Sequence, residues 1–474
     1  MDSPNILLVV LDTARASRVY DADLMPNLNE FAGDAATYTN AYTTAPWSLP
    51  SHASLFTGEY TSEHRTHADQ PQFTPDATPL ATRLGEAGYE TLAYSNNFWV
   101  SRSFGFDAGF DEYHVGWELF HGGEGFAEVG KKHTDIPGQL RAFAPKLLSR
   151  NGPKTLANAL FLVTLWDRYD SGAYLTNRQV KQWFGDADEP FFMFLNYHEP
   201  HLDYDAPDSY VDSVTSAGET PPDADDVNQD AWGYVTGDVE MDESDFEDLR
   251  TLYDAELRYL DSRLGELFDS LEDEGLLDET LVVVTSDHGE NLGDHDLMAH
   301  QYCLYDTLTH VPMIVRGPGV EPGTRDGFVE LRDLYPTLLD AAGVADAPAE
   351  RDIRGDPDRE TVGAEYWTPP CPTSELRADY GELPERVRSF DRGLQAVRTD
   401  DWKLIVGTDG STRLYDLSAD PKEQTDVSED HTDVVEQLSG EIQSRFDPIS
   451  ADDEYTKPDV SPVVTNRLED LGYL

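Results

Sequence analysis

The run Ile6-Leu7-Leu8-Val9-Val10-Leu11, closed by Asp12-Thr13-Ala14-Arg15, decides the fold of this 474-residue chain. Six successive apolar residues lack the alternation of a half-exposed strand and the 3.6-residue spacing of an amphipathic helix. They read as a strand buried on both faces. The run is too short for a signal peptide core or a membrane span, and Met1-Asp2-Ser3-Pro4-Asn5 has no basic residue before it. Similar runs recur at 91–94, 191–195, 281–285 and 311–315, separated by helical patterns such as 79–87 and 246–271. Apolar strands alternating with helices predict a largely parallel sheet covered on both faces, with function gathered at the carboxyl ends of its strands.

Polar clusters sit at those ends. Asp12 follows the first strand, His198-Glu199-Pro200-His201 the run 191–195, and Ser286-Asp287-His288 the run 281–285. A further segment, Ala45-Pro46-Trp47-Ser48-Leu49-Pro50-Ser51-His52-Ala53-Ser54-Leu55-Phe56-Thr57-Gly58, turns through small residues into an apolar helix. It places Ser48 at a helix N-terminus, where free backbone N–H groups and the helix dipole favour an anionic ester oxygen. Asp12, Asp287, His288 and the Ser48 oxygen together make an oxygen–imidazole set for one divalent cation. Taken singly, an aspartate at a strand end is usually a cap or turn residue.

Acidic residues outnumber basic ones 92 to 34, for a formal charge of −58, and only eight of the basic residues are Lys. Such self-repulsion becomes tolerable when molar salt shortens the screening length to roughly 3 Å. The composition predicts an intracellular protein of an extreme halophile, cytoplasmic by location. The charge excludes nucleic acid as a partner. Cys303 and Cys371 make no disulfide framework.

Residues 1–345 are expected to form the catalytic domain, with a helical cap inserted at about 117–182, and residues 346–474 a small subdomain. The cap carries Lys131, Lys132, Lys146, Lys154 and Lys181 beside the apolar run 157–166. It reads as a packed helical cover or as a lid facing an anionic polymer or lipid surface, so peripheral membrane contact stays open. In the subdomain, runs at 393–398 and 402–406 predict short antiparallel strands, and the acidic stretch 218–248 reads as a solvated loop.

The Ser48 segment resembles the Cys/Ser-x-Pro-Ser-Arg nucleophile signature of the sulfatase family, in the alkaline phosphatase superfamily. His52 stands where that signature has Arg. The resemblance extends over nearly the whole chain: Gly88-Tyr89-Glu90-Thr91, Gly105-Phe106-Asp107, Asp287-His288-Gly289, His310-Val311-Pro312, Asp333-Leu334-Tyr335-Pro336-Thr337 and Leu414-Tyr415-Asp416-Leu417 all look like family motifs. It implies a three-layer α/β/α sandwich with a mostly parallel mixed sheet and a small C-terminal α+β subdomain. It implies metal-dependent hydrolysis of a sulfate ester on an anionic small molecule, glycan or lipid. Ser48, or its formylglycine form, would be the nucleophile. His52, His201, His300 and Arg15 would serve catalysis, and Asp12, Ser48, Asp287 and His288 would hold the metal. That metal is calcium first, with magnesium or manganese as alternatives. The single Asp at Asp12-Thr13 with Asp287-His288 is similar to choline sulfatases and phosphonate monoester hydrolases. The family's Gly-Lys-Trp-His segment is replaced by Tyr94-Ser95-Asn96-Asn97-Phe98. The rival readings are a phosphodiesterase or phosphonate hydrolase with unmodified Ser48, a phosphoryl or sulfuryl transferase, and a binding module without activity.

Overall fold

A computed structural model describes residues 3–116, 172–187, 190–355 and 357–449. Most of the expected cap, including its run 157–166 and all its lysines but Lys181, lies outside the described residues. Its end, 172–182, falls in the helix Ala173–Phe184.

Strand β1 (Asn5–Leu11) is wholly buried and lies in the middle of the main sheet. It pairs in parallel with β5 (Phe191–Tyr197) and β6 (Thr280–Ser286). Side chains alternate across it: Ile6, Leu8 and Val10 belong to one core, Leu7, Val9 and Leu11 to the other. That is why the sequence shows no alternation, since both faces are dry. Each such side chain contributes roughly 1.5–3 kcal/mol on burial, so Leu8→Ala would cost roughly 2–5 kcal/mol.

The remaining strands of that sheet are β2 (Ala36–Tyr42), β3 (Glu90–Ser95), β4 (Glu112–Val115), β9 (His310–Arg316), β10 (Gly323–Arg325) and β11 (Val329–Glu330). The order is β10-β2-β9-β6-β1-β5-β3-β4, with β11 also on β2. The sheet is mixed, because β9 runs antiparallel to both β6 and β2. One face is covered by helices that include Pro26–Ala32, Ala173–Phe184 and Glu243–Asp273. The other carries Ser48–Thr57, Leu80–Glu86 and Leu334–Ala341. The three-layer sandwich is the architecture found.

A two-stranded ribbon of β7 (Asn291–Leu292) and β8 (Met298–Ala299) follows β6. The second sheet is antiparallel, in the order β12 (Val362–Tyr366), β13 (Leu394–Arg398), β14 (Trp402–Gly407), β15 (Thr412–Asp416). Ala364, Leu394, Ile405 and Tyr415 share the core of the face that carries helix Ser48–Thr57. Helix Thr432–Arg445 packs on its other side through Leu438 and Ile442. The stretch 218–248 is not all loop. Helix Ala231–Thr236 lies within it because Trp232 and Val235 are buried, Trp232 against Tyr302. Asp242 and Asp245 then form the capping box that opens the 31-residue helix Glu243–Asp273.

Candidate active site

Register builds the site. Leu11 stands level with Tyr197 on one side and Ser286 on the other. The next residues, Asp12, His198 and Asp287, therefore emerge side by side. Ser95 is level with Asn196, which brings Asn97 to the same edge from β3. The turn after β1 puts Thr13 at φ 57°, an uncommon conformation for a β-branched residue. The hydroxyl of Tyr253 holds it, donating to the Thr13 carbonyl at 2.9 Å and accepting from Arg15 N at 2.9 Å.

Ser48 opens the buried helix Ser48–Thr57, whose N-terminus has no side-chain cap. A buried helix end without a cap leaves N–H groups for a ligand. Ser51 Oγ donates to the Asp287 carbonyl at 2.7 Å, locking this helix to the end of β6. Ser48 Oγ lies 3.2 Å from His288 Nε2 and accepts from Asn97 Nδ2 at 2.9 Å. Asn97 Nδ2 also donates to Asp12 Oδ2. His288 Nδ1 donates to the Gly289 carbonyl at 2.9 Å, so Nε2 turns a lone pair toward Ser48 and Asp287, the latter at 3.3 Å.

The ligand atoms of Asp12, Asp287 and His288 lie within 4.8 Å of one another, and all three residues are buried. Asp12 Oδ1 and Asp287 Oδ2 accept no hydrogen bond among the described residues. Burial and then the Asp12 charge push the Asp287 carboxyl well above the usual range. Burial acts against ionisation of Asp12 too, but His198, whose Nδ1 lies 3.6 Å from Oδ2, holds it below its usual range. Burial takes His288 down to about 3, so its ring is neutral. Two buried carboxylates with unsatisfied oxygens beside a neutral imidazole nitrogen are a donor set that fits a divalent cation.

Four imidazoles line the rest. The rings of His198 and His201 stack at 4.4 Å, His201 meets His300 at 5.1 Å, and His300 meets His288 at 4.5 Å. His198 Nδ1 lies 3.6 Å from Asp12 Oδ2, and Glu290 Oε2 lies 3.4 Å from His300 Nδ1. His201 is driven well below its usual range by burial and by His198. His52 turns away from solvent between Phe106 and Phe194 and donates Nδ1 to the Ser48 carbonyl at 2.8 Å. Burial lowers it to about 4, so it sits there neutral.

The structure thus brings Asp12, Ser48, His52, His201, Asp287, His288 and His300 together. Arg15 gives its guanidinium to Asp294, with contacts of 3.0 and 3.3 Å. His64, near the same helix, is held by Ser54 and Thr66. Asn97, His198 and Glu290 join them; the sequence put His198 in the cluster after the run 191–195 but gave none of the three a role. The signal for Asn97 was its place: it stands where the expected lysine-bearing segment is missing.

Comparison with known proteins identifies the family and the fold. The Sulfatase family model matches residues 4–344, and that of the N-sulphoglucosamine sulphohydrolase C-terminal region matches 293–447. The chain is 27% identical to the choline-sulfatase of Rhizobium meliloti, over 92% of this chain and 84% of that one. It is 23% identical to arylsulfatase K of Bos taurus, over 94% and 82%. Among solved structures, a phosphonate monoester hydrolase of Agrobacterium radiobacter superposes with a TM-score of 0.69 at 22% identity, over 93% and 95% of the chains. A protein solved with its substrate D-glucosamine-2-N,6-O-disulfate gives 0.66 at 17%, over 97% and 100%.

Proposed function

This chain belongs to the sulfatase family, and we propose that it hydrolyses a sulfuric ester of a small molecule or glycan at the Ser48–His288 cluster. One observation carries the reading. The Ser48 oxygen sits at an uncapped, buried helix N-terminus, in hydrogen-bond reach of His288 and Asn97 and beside two unsatisfied carboxylates.

Asp12, Asp287 and His288, with Ser48, would hold one divalent cation. The cation would supply charge to stabilise the nucleophile oxygen and the ester oxyanion. Calcium is the first choice. The imidazole softens the set relative to the all-oxygen shells calcium prefers, so manganese and magnesium belong in the titration as alternatives. Asn97 Nδ2 orients the nucleophile by donating to Ser48 Oγ. The first-turn N–H groups of the helix receive the negative ester oxygens. His201 and His300 are placed to bind those oxygens or to protonate the leaving alcohol, with Glu290 fixing the orientation of His300.

A formylglycine at position 48 would offer, as its hydrate, a second hydroxyl from which sulfate is expelled, which serine lacks. A second reading therefore stands beside the first: hydrolysis of a phosphonate monoester or phosphodiester by unmodified Ser48. It is favoured by His52, which fills the position of the signature's Arg and is already committed to the Ser48 carbonyl. Mass spectrometry of the Ser48 peptide from native protein separates the two. A loss of two hydrogens supports the sulfatase reading. An intact serine with phosphonate turnover overturns it in favour of the second.

A further inference from the structure

Helix Glu243–Asp273 turns a stripe of side chains into the core, among them Leu249, Tyr253, Leu257 and Leu260. Of these four only Tyr253 carries a polar side-chain atom. A buried phenol takes a hydrogen-bond partner, and this one has two, both on the turn that follows β1. Its Oη donates to the Thr13 carbonyl and accepts from Arg15 N, each at 2.9 Å. Burial pushes the phenol above its ordinary range, so it keeps its proton.

Thr13 needs that contact. Its φ of 57° lies in the left-handed region, which β-branched residues rarely adopt. Its own hydroxyl does not offset the strain, because Thr13 Oγ1 is buried and has no hydrogen-bond partner among the described residues. Removing the Tyr253 hydroxyl would take a partner from two buried backbone groups as well, the Thr13 carbonyl and the Arg15 N–H.

The rest of the turn is tied to the end of β6. Ala14 N donates to Ser286 Oγ at 2.9 Å, and Thr13 N donates to Asp287 Oδ1 at 3.3 Å. His288 N also donates to that oxygen, at 2.9 Å. Two backbone donors on Oδ1 orient the carboxylate and leave Oδ2 unsatisfied, 3.3 Å from His288 Nε2. Asp12, the residue before Thr13, has its own Oδ1 unsatisfied. One left-handed residue therefore serves two carboxylates. It sets the course of the chain leaving Asp12 and presents an N–H to Asp287.

We propose that Tyr253 is a positioning residue for the cation site: its hydroxyl holds Thr13 left-handed and so keeps Asp12 and Asp287 aimed at one point before an ion arrives. The inference rests on the reading of Asp12, Asp287 and His288 as a cation-holding set, and it names what fixes their geometry. Groups that orient metal ligands change metal affinity by roughly 10- to 100-fold.

The test titrates calcium chloride, and separately manganese chloride, into the full chain in molar KCl and reads the dissociation constant by calorimetry. Tyr253→Phe keeps the ring and removes the hydroxyl, so the constant should rise about tenfold or more. Glycine enters the left-handed region freely, so Thr13→Gly in the same chain should bring the constant back to within about threefold of wild type. Tyr204→Phe is the control. Its ring packs 5.5 Å from that of Tyr253, and its buried hydroxyl has no hydrogen-bond partner among the described residues, so its loss should leave the constant unchanged. A circular-dichroism melt reports whether each variant is folded. An unchanged constant in folded Tyr253→Phe, or an equal rise with and without Thr13→Gly, would overturn the positioning role. If Tyr253→Phe does not fold, the double variant decides. Folding with an affinity near wild type supports the role, and failure to fold or to bind overturns it. Absence of binding to wild type would instead overturn the cation-site reading, and the positioning role with it.

Discussion

Two buried polar clusters in this molecule have similar burial and opposite bookkeeping of hydrogen bonds. At the carboxyl edge of the main sheet, Asp12 and Asp287 face each other with oxygens left unsatisfied. Behind the helix Ser48–Thr57, Glu330 is saturated. Its oxygens accept from Tyr60 Oη at 2.8 and 3.0 Å, Arg332 Nε at 2.8 Å, Arg359 Nη1 at 3.0 Å and Gly363 N at 2.8 Å, with Arg445 at 3.5 Å. Burial alone would raise the Glu330 carboxyl; the three arginines hold it down to about 2. Burial and a neighbouring carboxylate leave Asp287 raised instead. A saturated cluster ties elements together, here β11, β12 and the C-terminal helix. An unsaturated one keeps its ligand capacity for something that arrives later.

The largest expected effect bears on neither cluster. If the charge of −58 is screened by molar salt, dialysis to dilute buffer unfolds the whole chain cooperatively, and circular dichroism follows it. An unchanged spectrum would remove the halophile reading.

Next comes Asp287→Asn, which should lower turnover by about 10³-fold or more while relieving carboxylate repulsion. Its melting temperature without added metal should equal or exceed that of the wild type. Divalent cation should raise the wild-type midpoint by several degrees and the variant's by little. Equal cation shifts in both proteins would take Asp287 out of the metal site.

The saturated cluster predicts the reverse pattern. Glu330→Gln leaves Arg332 without its ion-pair partner, while Arg359 keeps Asp333 at 2.8 Å and Arg445 keeps Glu441 at 2.9 Å, and should cost roughly 3–5 kcal/mol in denaturant unfolding. Glu330 has a folded-state pKa below its unfolded value, so its contribution is present above about pH 4.5 and is lost as pH falls through about 2. The gap between wild type and Glu330→Gln should therefore narrow across that window. A gap constant with pH would show that the carboxylate's charge is not what the cluster uses.

Asn97→Ala should have the smallest effect, a loss of about 10- to 100-fold in kcat with the fold kept, since it removes an orienting hydrogen bond and leaves the ligand set in place. A loss as deep as that of Asp287→Asn would move Asn97 into the ligand set itself.

Much of this contrast was legible in the sequence. The runs that became β1, β3, β5, β6 and β9 are mostly apolar because both their faces are covered, and Asp12 and Asp287 stand one residue past the ends of β1 and β6. Hydropathy carries no direction, so the antiparallel course of β9 did not show. Strand β2 has polar residues at Thr37, Thr39 and Asn40, and β12 buries Glu365, so neither gave an apolar run. The Glu330 cluster is assembled from Tyr60, Arg332, Arg359, Gly363 and Arg445, positions too far apart for spacing to connect. Asn97 was hidden for a different reason: an asparagine after a strand usually reads as a turn, and only the register of β3 against β5 turns it toward Ser48.

The most direct test of the central claim is hydrolysis in molar KCl of a matched pair, 4-nitrophenyl sulfate and 4-nitrophenyl phenylphosphonate, by wild type and Ser48→Ala. A higher kcat/KM is expected for the sulfate ester, abolished in Ser48→Ala. Phosphonate turnover without sulfate turnover, or sulfate turnover that survives the loss of Ser48, would contradict it.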